Sequence, residues 1–191
     1  MSATATITRT VDGTELPEAG TYPIDASHTH VGFVVRHLMV SKVKGRFTDV
    51  SGTVTIAEDP TESHVEVEVQ LASIDTGDEQ RDGHLRNEDF FDVERHPTMT
   101  FRSTSVRHVR GDAWLVTGDL SLAGVTKPLT LDVTFEGGAQ DPWGGTRLGF
   151  SAKGEVNRED FGLSWNQALE TGGVVVGKKA TIEIEAEAIQ Q

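Results

Sequence analysis

Asp75, Arg81, Asp82, His84, Arg86 and Asp89 crowd into one short stretch of the chain. Both charge signs beside an imidazole can orient a polar head group through charge-assisted hydrogen bonds. The same residues can also pair with one another on an ordinary solvated helix. As acid–base machinery the cluster would rest on His84 and its neighbouring acids. Nothing else supports catalysis: there is no Gly-x-Ser-x-Gly elbow, no P-loop and no dinucleotide fingerprint. Paired carboxylates carry little information in a chain with 30 Asp and Glu, so no catalytic residue is assigned and the protein is not expected to be an enzyme. His28 and His30 are spaced like two metal ligands on one strand face. No third ligand lies nearby unless His37 folds back, and neither H-E-x-x-H nor any cysteine occurs. No metal and no cofactor are expected. Trp165 sits in the long stretch from Gly162 to Gly177, where a lid, a binding loop or simple packing over one end of the fold are all open. Trp143, in Asp141-Pro142-Trp143-Gly144, reads as a packing anchor of a hairpin loop.

The whole chain sets limits on partners. Lys and Arg number 17 against 30 acids, giving a net charge of −13. So acidic a surface repels phosphate backbones and anionic bilayers, which argues against nucleic acid and against stable membrane insertion or adsorption. No apolar run approaches the ~20 residues that span a bilayer. Without cysteine, disulfides and thiol chemistry are excluded. Residues 1–20 lack periodicity and an apolar h-region, so they read as a disordered tail before a single domain over 21–191. The cytoplasm is the expected compartment.

The elements that must position these residues are strands. Val65, Val67, Val69 and Leu71 alternate with Glu66, Glu68 and Gln70; Leu129, Leu131, Val133 and Phe135 alternate with Thr130, Asp132 and Thr134; Ile182, Ile184, Ala186 and Ala188 alternate with glutamates. Period-two alternation with charge on one face means half-buried antiparallel strands. Further strands are expected near 28–36, 43–57, 98–107, 112–122 and 145–157, about eight in all. Alternation alone does not separate a sandwich from a barrel. Thr76-Gly77-Asp78-Glu79 has the form of a capping box, and it predicts one short helix over roughly 78–90, with an ion pair between Asp82 and Arg86.

Several inward positions are small. Gly52, Gly118, Gly154, Ala152, Ala186 and Ala188 stand where a solid core would place Val, Ile or Leu. Glycines can instead mark bulges or bends, and for Gly52 and Gly118 both readings stay open. The alanines favour a cavity, and an eight-stranded barrel is just wide enough to hold one ligand. Its apolar wall would comprise Phe33, Val35, Phe101, Trp114, Val116, Leu120, Leu131, Val133, Phe150, Ala152, Ile184 and Ala186. Asp75, Arg81, His84, Arg86 and Trp165 would form its mouth.

Ser73-Ile74-Asp75-Thr76, Arg81-Asp82-x-His84-Leu85-Arg86, Asp89-Phe90-Phe91-Asp92, Pro97-Thr98-Met99-Thr100-Phe101, Gly124-Val125-Thr126-Lys127-Pro128, Arg147-x-Gly149-Phe150 and Arg158-x-Asp160-Phe161-Gly162 follow in order. In that order and spacing they resemble the YceI family of lipocalin-like proteins over about Thr21 to Ala188. The resemblance implies an all-β fold, an eight-stranded antiparallel lipocalin-like barrel that is often a homodimer. It also implies a long-chain isoprenoid or fatty-chain lipid as partner. Many members of that family are secreted to the periplasm.

Overall fold

The computed structural model describes residues 7–190. Thirteen strands and one α-helix follow one another: β1 (Thr8–Val11), β2 (Thr14–Pro17), β3 (Gly20–Pro23), β4 (His30–His37), β5 (Ser41–Phe47), β6 (Val50–Ile56), β7 (His64–Gln70), β8 (Ile74–Asp75), α1 (Glu79–Arg86), β9 (Thr98–Arg110), β10 (Ala113–Leu122), β11 (Val125–Gln140), β12 (Thr146–Asn157) and β13 (Val176–Gln190). The count exceeds eight because β1 and β2 form a hairpin of their own and because long strands of the main sheet bend. A 3-10 turn at Ala26–His28 divides β3 from β4, Thr48-Asp49 divides β5 from β6, and a 3-10 turn at Leu71–Ser73 divides β7 from β8. With each bent strand counted once, eight strands run antiparallel to their sequence neighbours. The last then returns to the first: Ile182 lies opposite Phe33, and Ile24 bridges Ala188. The sheet is a curled meander whose two ends meet, which leaves few open edges.

Its interior has two regions. At the end where β9 turns into β10, Tyr22, Leu148, Ala188 and Phe135 form a dense plug, with Leu148 0% and Tyr22 1% exposed. Burial of side chains this large contributes about 1.5–3 kcal/mol each. The Tyr22 hydroxyl donates to the Glu18 carbonyl at 3.0 Å, so the plug leaves no stranded polar atom there. Toward the opposite end, where β4 turns into β5, the second cluster lines open space rather than filling it.

Residues 8–17 correct the expectation of a disordered tail. Val11 and Thr14 pair across a two-residue turn, in which Asp12 and Gly13 take φ +49° and +80°. Asp-Gly suits such a turn because it tolerates two left-handed residues. The hairpin is fastened by Arg9, which donates to the Pro17 carbonyl (3.3 Å), the Ala57 carbonyl (2.5 Å) and Glu58 (2.5 Å). Leu16 is buried beneath it. Met1 to Thr6 lie outside the described residues.

The helix is shorter than 78–90, and Asp78 rather than Thr76 caps it, accepting from the Arg81 amide at 2.9 Å. Asn87 ends it, its side chain accepting from the Asp89 amide in a turn that competes with further helix. The expected Asp82–Arg86 pair does not form. Asp82 is buried and accepts from Thr76 N and Oγ1 (3.0 and 2.5 Å), whereas Arg86 donates to the Ala72 and Ile74 carbonyls, both at 2.9 Å.

The glycines divide from the alanines. A Cβ on Gly118 would lie 2.4 Å from the Arg102 carbonyl, at a register shift between Thr117 and Gly118. That is the signature of a bulge. A Cβ on Gly52 would strike the Glu66 carbonyl and Ile24, and one on Gly154 would strike Leu131. These glycines admit close backbone and side-chain approach, and of the six small inward positions named from the sequence Ala152 and Ala186 line the open region.

Outside the plug, Arg147 joins three parts of the chain. Its guanidinium reaches Asp25 (2.8 Å), Glu187 (2.9 Å) and Asp141 (3.2 Å). Asp25 is held well below the usual carboxylate range, first by the Ser27 hydroxyl and next by Arg147. Burial acts to raise Asp141, but the Gly145 and Trp143 amides and Arg147 outweigh it and lower it. Because both carboxyls are depressed on folding, their stabilisation is present above their unfolded values near pH ~4. It is lost as pH falls through their folded values. Arg147→Met should lower the melting temperature at neutral pH and flatten its fall in acid. Melting curves between neutral and strongly acidic pH will check this, and parallel pH profiles for the two proteins would refute it.

Candidate functional site

The open region is a cavity of about 950 Å³ running along the barrel. Every wall residue named from the sequence, from Phe33 on β4 through Phe101, Trp114, Val116, Leu120, Leu131, Val133, Phe150 and Ala152 to Ile184 and Ala186 on β13, lines it, as does Val35. The reason is parity: each of these alternates with a residue on the outer face, so one register choice aims the whole set inward. Among the lining residues, the polar side chains collect at the two ends. Thr55, Ser63 and His64 lie toward the plug, while Arg36, His37, Asp78, Gln80, Arg81, His84, Asn87 and Arg158 lie toward the end that carries α1 and the β4–β5 turn. Between them the wall is aliphatic and aromatic.

Over that second end lie α1 and the segment after β12. His84 stands edge-on to Trp165 (centroids 4.7 Å, 87° between planes) and to Phe90 (5.1 Å, 86°), and Phe90 tilts against Trp165 at 5.4 Å. Edge-on contact places a positive ring edge against an electron-rich face. His84 Nε2 is also 2.9 Å from Asp89 Oδ2. Arg81 is steered by Thr76, to which it donates through Nε to Oγ1 (2.7 Å) and through a terminal nitrogen to the carbonyl (3.0 Å). Thr76 is itself held by Asp82. Arg81, His84 and Trp165 therefore border the cavity together.

Two residues assigned to the mouth do not reach it. Asp75 points to the outer side, paired with Arg46 at 3.2 Å. The Gly77 amide, and after it Arg46, holds Asp75 below the usual carboxylate range. Arg86 is a brace between α1 and the strand before it, its donors spent on backbone carbonyls. Spacing on a helix cannot tell which cation turns to solvent and which turns to a neighbouring strand.

A residue missed from sequence holds the cover in place. Arg158, 6% exposed, donates to the carbonyls of Gly177 (2.9 Å), Trp165 (3.0 Å), Leu163 and Val176 (3.4 Å). Burial lowers its pKa, opposed by Glu159. These carbonyls belong to both ends of the 162–177 segment, so one guanidinium closes a long loop onto the barrel. The Arg158-x-Asp160-Phe161-Gly162 motif was visible, but its partners are backbone atoms and leave no trace in residue types.

His28 and His30 turn to different neighbours. His28 bonds Asp25 at 2.9 Å, whereas the His30 imidazole lies against Gly32. Ligand atoms of Asp25, His28 and Glu187 do lie within 4.8 Å of one another among the described residues, close enough to surround an ion. Arg147 already bridges both carboxylates with its own charge, which disfavours a second cation there.

A closed antiparallel meander around an apolar cavity, with a helix and a loop across one end, defines a lipocalin-like barrel. The model of the YceI-like domain matches residues 22–188, and the chain belongs to that family. Protein YceI of Escherichia coli O157:H7 is 43% identical over 148 residues, covering 76% of this chain and 77% of that protein. The crystal structure of the YCEI protein of Campylobacter jejuni, 31% identical, superposes with a TM-score of 0.70 over 82% of this chain and 90% of the other. A polyisoprenoid binding domain from Saccharophagus degradans shares the fold at 17% identity, with a TM-score of 0.63 over 87% and 97% of the two chains.

Two substitutions probe this geometry. Ala152→Trp and Ala186→Trp would overpack a filled core at a cost of about 1–3 kcal/mol. Facing the cavity, each indole should instead leave the denaturation midpoint of ligand-free protein unchanged or raised; a loss in both would mean that no space exists there. Arg158→Met should destabilise by on the order of 3 kcal/mol, since buried carbonyls lose a charged donor. It should also raise amide exchange in 162–177 before the strands exchange, as measured by hydrogen–deuterium exchange.

Proposed function

We propose that the protein binds a long-chain isoprenoid, of polyprenyl or isoprenoid-quinone type, and carries or sequesters it in the barrel. The observation that carries this reading is the cavity itself: about 950 Å³, with polar side chains confined to its ends. That volume lies at the upper end of the range for small-molecule pockets, about 300–1,000 Å³. Each methylene moved from water into such a wall contributes about 0.8 kcal/mol, so ten of them give roughly 8 kcal/mol. That alone corresponds to about micromolar binding. The tail then supplies affinity without any specific contact, and polar groups at the mouth supply orientation. The relationship to YceI proteins and the shared fold of the polyisoprenoid binding domain support the same ligand class.

Arg81, His84 and Trp165 are the residues of the covered end that would meet a head group. A second reading has one observation in its favour: the His84–Asp89 contact at this end could move a proton on a lipid-derived substrate. Binding without turnover is the reading adopted, because the ring of His84 is packed between Phe90 and Trp165.

Protein purified from cells should release a stoichiometric long-chain lipid on organic extraction, identified by mass spectrometry. Delipidated protein should bind added prenyl lipid and return it unaltered. Failure of both extraction and rebinding would end the carrier reading, and a ligand of changed mass after incubation would favour the enzymatic one. Arg81→Ala together with His84→Ala should cost a polar-headed ligand about tenfold or more in affinity, while a headless hydrocarbon should bind nearly as before. Equal losses for both would give the pair a structural role only.

A further inference from the structure

The turn between β4 and β5 is the feature that the cavity does not explain. Leu38, Met39 and Val40 are 38%, 54% and 81% exposed, side by side at the covered end of the barrel. Leu38 and Met39 both take left-handed φ, +51° and +63°. Asn and Gly accept that conformation readily, while unbranched and branched apolar side chains are disfavoured in it. Solvent exposure and turn geometry would both select polar residues here, and the chain places three apolar ones.

The charge around this turn opposes that of the rest of the molecule. From Ala26 through Thr48 there is no Asp or Glu, in a chain whose net charge is −13. Arg36, Lys42, Lys44 and Arg46 fall in that stretch, all exposed. Arg46 is paired with Asp75. Nearby on β13, Lys178 and Lys179 are paired with Glu159 and Glu155. Arg36, Lys42 and Lys44 have no ion-pair partner among the described residues. Arg36 and Lys42 even stand directly opposite each other across the hairpin. Like charges in that position destabilise a strand pair, and no acid among the described residues pairs with either.

An apolar tip flanked by unpaired cations matches one kind of surface: an apolar layer bounded by negative charge. We propose that the β4–β5 hairpin is a docking surface for an anionic lipid bilayer, with Leu38, Met39 and Val40 entering the headgroup boundary and Arg36, Lys42 and Lys44 meeting the anionic headgroups. The overall negative charge does not forbid this. At physiological salt, charges farther than about 8 Å from the contact are screened, so the hairpin's own charge governs the close approach. The contact is local and reversible, since three side chains are far less apolar surface than a stable anchor needs. Position adds to the case. Arg36 and His37 border the cavity, and the Leu38 amide donates to the Val175 carbonyl (2.9 Å) in the segment that carries Trp165. The purpose of such docking, passage of lipid between bilayer and barrel, rests on the carrier reading above; its test does not.

Delipidated protein is sedimented with vesicles of phosphatidylcholine, with and without phosphatidylglycerol, and with no cavity ligand. It should bind the phosphatidylglycerol vesicles and not the neutral ones, and added salt should weaken binding. Each basic residue near an anionic surface contributes about fivefold, so Arg36→Glu with Lys42→Glu should weaken binding by roughly 25-fold or more. Val40→Glu should weaken it by about tenfold or more. Both variants are to keep the wild-type melting temperature. Because the chain has no cysteine, Val40→Cys can carry an environment-sensitive dye that reads the tip without any charge reversal. Its emission should shift to the blue on phosphatidylglycerol vesicles, while the same dye at Val109→Cys, at the far end of β9, should not respond. Absence of vesicle binding, equal binding to neutral vesicles, or equal dye shifts at both ends would overturn the proposal. So would a blue shift without vesicles accompanied by a dimer in sedimentation velocity, which would make the tip an interface between two copies. Vesicle binding by a protein that takes up no prenyl lipid would keep the docking surface and remove the carrier reading.

Discussion

The pairing of β13 with β4 is the contact on which the rest of the molecule depends. It joins the last strand to the first and turns a meander into an enclosure. Once Ile182 lies opposite Phe33 and Ile184 opposite Val31, the inward set of each intervening strand is fixed. A slip of one residue would put glutamates 183, 185 and 187 inside and the aliphatic residues outside. The alternation along β13 therefore does more than mark a strand. It specifies the closure, and with it the apolar wall.

Closure also explains why the interior is unequal from end to end. Near the plug, Tyr22, Phe135, Leu148 and Phe150 fill the space with large side chains, and the β1–β2 hairpin and the Arg147 ion pairs secure the outside. Ala186, level with Phe150, begins the cavity beside the plug, and Ala152, one layer further toward α1, withholds volume again where neighbours on the same strands supply it. Stability is concentrated at one end, and the room for a guest at the other. The two requirements compete within any single layer of side chains, since good packing removes the cavity, and here they are separated along the barrel axis.

Much of this was legible in the residues. Strand existence, the inward faces of β9 to β13 and the small alanines all follow from period-two patterning, because burial selects side chains position by position. Less legible was whatever depended on backbone partners. Arg86 and Arg158 are committed to carbonyls, which every residue type offers alike. Asp75 turned outward because Arg46, far off in sequence, pairs with it across β5 and β8. At Gly52 and Gly118 the sequence leaves a bulge and a cavity both open for a related reason: they are small to admit a neighbouring carbonyl, which residue types do not reveal. The N-terminal hairpin is a different case. Val11-Asp12-Gly13-Thr14 carries a sufficient turn signal, but its strands are only four residues each, too short for alternation to register.

The manner in which Arg158 holds the 162–177 segment has a consequence for how such a barrel can diversify. All of its contacts there are to main-chain oxygens, so the anchor is indifferent to the side chains of the loop it secures. Substitutions at Trp165 or at its neighbours can reshape what faces an incoming guest while the loop keeps its path and its attachment. In engineering terms, the segment is a cassette with fixed terminals: its contents can be exchanged to retune selectivity, and the frame that carries it need not be redesigned.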